Sequence, residues 1–198
     1  MKNIFSIILL ILYAFTGVCQ TDSLNSGPTP YDTKSGKIIY RFSNGIQQGQ
    51  KIVVFDNYGR EEKMITNTIM SLNINNSERN AGDTIHEMII KKGNYIYKIN
   101  LDAGTGFKLS RGEPLPLNLD ALRPGQVLAG TDTILDRPCT IIEVFGSLRT
   151  WYWNRIPIKK QVMGTSTTTN VEESAVSIDE NYMVRKNEFE IPEGVKIK

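Results

Sequence analysis

From residue 37 onward the chain alternates apolar and polar residues in short runs, and a turn signal interrupts it roughly every ten residues. A period of two sends successive side chains to opposite faces of a strand, so this pattern builds sheet and leaves little room for helix. Residues 37–43 group Ile38, Tyr40 and Phe42 on one face; Asn44-Gly45 marks a turn, which the polar run 47–50 lengthens into a link. Residues 51–56 hold four successive apolar positions, Asn57-Tyr58-Gly59 turns the chain, and 61–70 continues as a longer strand. The Asn-rich, aperiodic stretch 72–82 reads as an exposed loop. Lys92-Gly93-Asn94 joins 84–91 to 95–101 in the strongest hairpin signal, with Tyr95, Tyr97, Ile99 and Leu101 sharing a face. Strands are predicted again at 107–110, 131–135, 139–145, 148–156, 160–164, 167–171, 175–178 and 183–189, and one short helix beginning near Leu119, capped by Asn118 and stopped by Pro124 and Gly125. The fold class is mainly β, in one domain.

The tryptophans tighten this reading. Trp151 and Trp153 are the only two in the chain, and their spacing puts both indoles on one face of a strand, with Thr150, Tyr152 and Asn154 on the other. A Gly146-Ser147 break separates them from strand 139–145, so a hairpin is the shortest connection. Pro157 withholds a ladder donor, which requires a bend, a bulge or an edge there. Two indoles on one side of a sheet are a large apolar area that a helix, another layer or a ligand must cover.

The N-terminus supplies an address. Lys2 precedes an apolar run over 4–15, broken only by Ser6, and Gly17-Val18-Cys19 offers small residues at a cleavage site. This is the form of a secretory signal peptide, shorter than the about 20 apolar residues of a transmembrane helix. Cleavage after Cys19 gives a signal peptide 1–19, a flexible leader 20–35 and a single domain 36–198. A lipoprotein signal that acylates Cys19 is the competing reading; Val18 and Thr16 stand where a small residue and a leucine are usual. The expected location is the periplasm or the exterior, with no transmembrane helix. Loss of Lys2 lowers a formal net charge of +2 by one, and no basic block remains to recruit nucleic acid. Cys139 is then the lone cysteine, so no intrachain disulfide forms and the core alone carries the fold.

Catalytic patterns are absent. His86-Glu87 begins a zinc-protease motif, but Ile90 occupies the position of its second histidine, and the chain has a single histidine. Cys139 has no histidine partner other than His86, and its strand setting favours packing. No Gly-x-Ser-x-Gly elbow occurs, and Gly104-x-Gly106 lacks the third glycine and the helix of a dinucleotide loop. Asp56, Glu61, Glu62, Glu172 and Glu173 are acids beside turns. Asn75-x-Ser77 matches a glycosylation acceptor, which marks surface. No cofactor or metal is expected, and no enzymatic activity.

Four patches taken together, 54–62, 95–106, 151–159 and 173–181 with 189–194, resemble a family of exported Bacteroidetes-type proteins of unknown function, similar in fold to the lipoprotein-sorting proteins LolA and LolB. Arg155 stands where such relatives commonly have glycine, and Ile158 where they have leucine. The resemblance implies a strongly curved antiparallel sheet, an unclosed half-barrel with a short helical cover, whose concave face can hold an apolar ligand. On that fold the candidate lining is one aromatic stripe per strand: Tyr40 and Phe42, Tyr95 and Tyr97, Trp151 and Trp153. The same stripes can instead be core, closed by Leu119 and Leu122. Two functions follow: an envelope protein that binds a lipid or other hydrophobic ligand, or a non-enzymatic module that meets an envelope protein through its surface or an open sheet edge. The leader or the run 166–169 can supply that edge contact.

Overall fold

The computed structural model of the 198-residue chain describes residues 29–44, 47–74, 77–112, 117–119, 121–162 and 171–198, without the side chains of 71–83. The signal segment, Cys19, the leader up to residue 28, Asn75 and the run 166–169 lie outside the described residues. The described strands are β1 (Gly36–Asn44), β2 (Gln47–Asp56), β3 (Glu61–Ile74), β4 (Ser77–Lys92), β5 (Tyr95–Asn100), β6 (Thr105–Ser110), β7 (Gln126–Ile134), β8 (Arg137–Val144), β9 (Leu148–Trp153), β10 (Ile156–Val162), β11 (Val171–Asp179) and β12 (Lys196–Ile197). They form one sheet in the order β12-β6-β5-β4-β3-β2-β1-β11-β10-β9-β8-β7. Every neighbouring pair is antiparallel except β12 with β6. β12 and β7 are its edges, so the sheet does not close into a barrel.

Two core clusters sit on the sheet, and β2 belongs to both. Val53 and Phe55 join Ile38, Tyr40, Trp151, Trp153, Ile156, Ile158, Cys139 and Ala175 in the first. Val54, on the opposite face, joins Met88, Ile90, Ile99 and Phe189 in the second. Burial on both faces is why this strand is apolar at successive positions. The second cluster is covered by the C-terminal segment, which contributes Tyr182, Val184, Phe189, Ile191, Val195 and Ile197. Glu188 in this strap pairs with Lys63, Tyr182 lies under the Lys37 ammonium, and backbone bonds from Lys196 to Gly104 and from Lys198 to Gly106 fix its end along β6.

Four expectations are corrected. The short helical cover near Leu119 is not seen: the described residues there are irregular, and Leu119 stays 44% exposed, so it contributes little burial to offset the cost of a helical nucleus before Pro124. The strap takes its place, and residues 183–189, expected as a strand, are turns within it, because they lie across a sheet face where no ladder partner is available. The loop over 72–82 is instead the continuation of the β3–β4 hairpin, paired as far as Ile74 with Ser77. The link at 47–50 is the start of β2, with Asn44 opposite Gln47. In both cases pairing with a neighbouring strand overrides weak intrinsic preference.

Thr29–Lys34, the described end of the leader, is held against one end of the sheet. Tyr31 N–H donates to Tyr58 O, Asp32 N–H to Asn154 O, and Tyr58 N–H to Lys34 O. The Tyr31 ring stands edge-on to Phe55 at 5.1 Å, and its hydroxyl donates to buried Glu62 at 2.7 Å. Gly59 permits this: its φ is +81°, and a Cβ there would lie 2.4 Å from the Tyr31 ring. A Gly59→Ala change is expected to cost more than the about 1–2 kcal/mol of left-handed strain, because the ring must also leave. Urea denaturation measures this, and an unchanged midpoint would contradict the seating of Tyr31.

Candidate functional site

The structure divides the six predicted lining residues among three places. Tyr40, Trp151 and Trp153 are buried in the first cluster, the indoles only 6% and 7% exposed. Tyr97 packs against the second cluster, and Tyr95, 6.4 Å from it between ring centroids, is exposed under the Lys108 ammonium. Parity explains the split: Tyr40 is opposite Lys51 and Tyr97 opposite Ile90, and the ladder through β2, β3 and β4 puts those pairs on opposite faces. Phe42 lies apart, half-buried, with its ring over Gly49, where a Cβ would meet it at 2.6 Å.

The surroundings of the first cluster are charged, and most of these groups are paired; Arg137 Nε is buried without a hydrogen-bond partner. Trp151 Nε1–H donates to Asp132 at 2.9 Å, and the Arg137 guanidinium lies 4.9 Å from the Trp153 ring. Lys51 is buried, pairs with Glu173 and lies 4.4 Å from the Tyr40 ring; burial is the main cause that holds its ammonium below the usual lysine range. Burial first, then Glu173 and Glu62, pushes the Tyr40 phenol far up, so it remains a donor, here to Pro157 O at 3.0 Å. Pro157 sits at a bulge in the β9–β10 ladder, ahead of the first β10–β11 pair at Lys159, so its missing N–H leaves no gap in the ladder. Cys139 is buried with its thiol donating to Arg137 O; burial raises its pKa, which disfavours the thiolate that nucleophilic use would need. Among the described residues no group of three metal-ligating side chains forms.

Arg155 occupies the β9–β10 turn at φ +61°, a left-handed conformation that glycine adopts without strain. Its guanidinium bonds Thr29 O at 2.7 Å, Thr29 Oγ1 at 3.2 Å and Asp32. The side chain thus clamps the N-terminal segment to the sheet, and these bonds offset the backbone strain at the turn.

Two of the surfaces open among the described residues bear on function. β7 is an edge strand whose residues from Val127 to Thr133 are all exposed. At its beginning Val127 is 54% and Leu128 64% exposed, on opposite faces, and Phe145, just past β8, is 79% exposed with its ring against Gly125. The strand has no Lys, Arg or Pro to guard it, and only a bulge between Leu128 and Gly130 interrupts its ladder. The second surface is an open trough of about 770 Å³. Register places Ser174, Arg41, Gln50, Asn67 and His86 in one cross-strand row, and Glu172, Ser43, Gln48, Ile69 and Thr84 in the next. Both rows lie on the strap-covered face, beyond the row of Ile52, Ile65, Met88 and Ile99. Sequence reasoning missed this surface because the polar run 47–50 was read as a link; the alternation of Arg41, Ser43, Gln48 and Gln50 was its available signal.

His86 is the trough residue with a defined orientation. Asp102 accepts from its backbone N–H at 2.8 Å and from Nδ1 at 2.7 Å. These bonds from His86 hold the Asp102 carboxyl below its usual range, so Asp102 is the acceptor.

No protein-family model matches the chain, and no curated protein matches its sequence. Among solved structures, an uncharacterized conserved protein from Thermus thermophilus is similar with a TM-score of 0.55 at 5% identity, over 84% of this chain and 90% of that one. MucB of Pseudomonas aeruginosa, in its complex with MucA, gives 0.46 at 8% identity over 83% and 58%. LprF from Mycobacterium bovis gives 0.34 at 7% over 78% and 89%. The Thermus likeness concerns the fold alone, and this chain spans little more than half of MucB. The four-patch resemblance to an exported Bacteroidetes-type family is matched by no family model.

Proposed function

We propose that this chain is a non-enzymatic binding protein of the cell envelope that takes an extended segment of a partner protein as an added strand along β7. The observation that carries the reading is a nine-residue edge strand that no described residue covers, with apolar side chains exposed at its start. An edge strand offers a row of unpaired N–H and C=O groups, which supply affinity, while exposed Leu128 on one face of β7 and Val127 on the other select apolar residues on the matching faces of the incoming strand. The signal-like N-terminus supports an exported setting. No helix among the described residues is long and apolar enough to cross a membrane. Lipid binding by Tyr40, Phe42, Tyr95, Tyr97, Trp151 and Trp153 is the second reading; it requires the first cluster to open, because three of these residues are core and the others lie apart.

A photo-crosslinking amino acid at Leu128, introduced into the exported full chain in its native envelope, tests this. The expected adduct is a peptide whose mapped segment alternates apolar residues, formed at Leu128 and not at exposed Glu180, and lost when Val127→Lys guards the edge. An adduct on a lipid, an adduct that Val127→Lys leaves intact, or equal adducts at both sites would overturn the proposal.

A further inference from the structure

We propose that the trough on β11, β1, β2, β3 and β4 binds an acidic oligosaccharide, with Arg41 receiving the carboxylate and the amides around it receiving hydroxyls. Its polar groups are spaced by the sheet itself. Neighbouring strands lie about 4.8 Å apart, so one row of five residues spans roughly 19 Å, and consecutive rows on one face are separated by about 6.8 Å. That is a grid on the scale of linked sugar rings. Gln48, Gln50 and Asn67 each present a donor and an acceptor, the same pairing that a sugar hydroxyl presents, and none of their side chains is bonded within the described protein. His86 adds a ring held in place by its bond to Asp102.

The charge balance selects an acidic sugar over other anions. Glu172 in the trough is paired with Lys159 at 3.2 Å, and His86 is committed to Asp102, which leaves Arg41 as the unpaired ion of the site among the described residues. One guanidinium matches a single carboxylate in a two-pronged geometry. It is too little positive charge for a nucleic acid or an anionic membrane surface, each of which needs a cluster. An acyl chain finds no enclosure here either, since the trough is an open surface on which nine of ten row positions are polar. The strap completes the site at one side: it covers the apolar rows of the same face and stops before the polar ones.

The test is a titration of the full chain with oligogalacturonate, read by NMR at the Arg41 Nε–H and at the side-chain amides of Gln48, Gln50 and Asn67. Parallel arms use a neutral maltooligosaccharide of similar length and inorganic phosphate. The acidic sugar is expected to move these signals saturably, the neutral sugar to bind about ten- to hundredfold more weakly, and phosphate to leave the amides unmoved. Arg41→Gln is expected to erase the difference between acidic and neutral sugar while thermal stability stays unchanged, because Arg41 is exposed. Equal binding of both sugars, a phosphate response equal to that of the sugar, or full acidic-sugar affinity in Arg41→Gln would each overturn the proposal, as would no response at millimolar concentration. The site is separate from β7, so neither this outcome nor that of the edge crosslink decides the other.

Discussion

Phe189→Ala should lower the unfolding free energy by about 3–5 kcal/mol, a large part of the roughly 5–15 kcal/mol that holds a domain of this kind folded. Phe189 is the buried centre of the C-terminal strap, and its ring fills the space between Val54, Met88, Ile90 and Ile99 on the sheet. No helix covers that face among the described residues, so nothing else can move in to fill the cavity. The strap also has few alternative anchors, chiefly the Glu188–Lys63 pair and the short β12 ladder. Urea unfolding followed by far-UV dichroism measures the loss. Met183→Ala, in the same segment but 87% exposed, serves as the control and should stay within about 0.5 kcal/mol of wild type. A Phe189→Ala loss no greater than that of the control would mean that the strap is not the cover of this face.

The strap also marks where sequence reasoning stopped. The alternation that identified β1, β5 and β9 is produced by one buried and one exposed face, and strands that keep that division were legible together with their hairpin turns. The starts of β2 and β4 are polar in sequence, so local pattern gave loop where pairing with β1 and β3 gives strand. The opposite error befell residues 183–189: aromatic and β-branched residues look like a strand whether they pair along an edge or lie across a face. The candidate site suffered from a third gap. A period of two shows that Tyr95 and Tyr97 share a face, and that Trp151 and Trp153 do; only register shows that Tyr40 and Tyr97 do not. Register depends on contacts far apart in the chain, which no local window contains. The role of Arg155 required the fold, because its partners Thr29 and Asp32 are distant in sequence.

Trp153→Ala is expected to cost about 3–5 kcal/mol and to do so without affecting any response to lipid. The indole is packed in the first cluster with Ile156 opposite it across the β9–β10 turn, and Arg137 lies over the ring, bonded to Leu135 O at 2.9 Å and to Glu180 at 2.8 Å. Removal leaves a cavity beneath an ordered cation and forfeits the cation–π contact as well. Trp151→Phe separates bulk from polarity: it keeps most of the ring volume and loses the bond to Asp132, whose exposed carboxylate water can satisfy, so the expected cost is only about 0.5–1.5 kcal/mol. Phosphatidylethanolamine vesicles and free fatty acid supply the comparison. If the indoles are core, neither lipid raises the unfolding midpoint of delipidated wild-type protein, and both variants unfold at lipid-independent midpoints. If the indoles line a lipid site, the wild-type midpoint climbs with lipid concentration by mass action, and Trp153→Ala abolishes that climb at little cost in the absence of lipid. The two outcomes differ in kind as well as size, because removing a core residue lowers the stability of the apo fold, whereas removing a binding residue lowers affinity and leaves the apo fold nearly as stable as before.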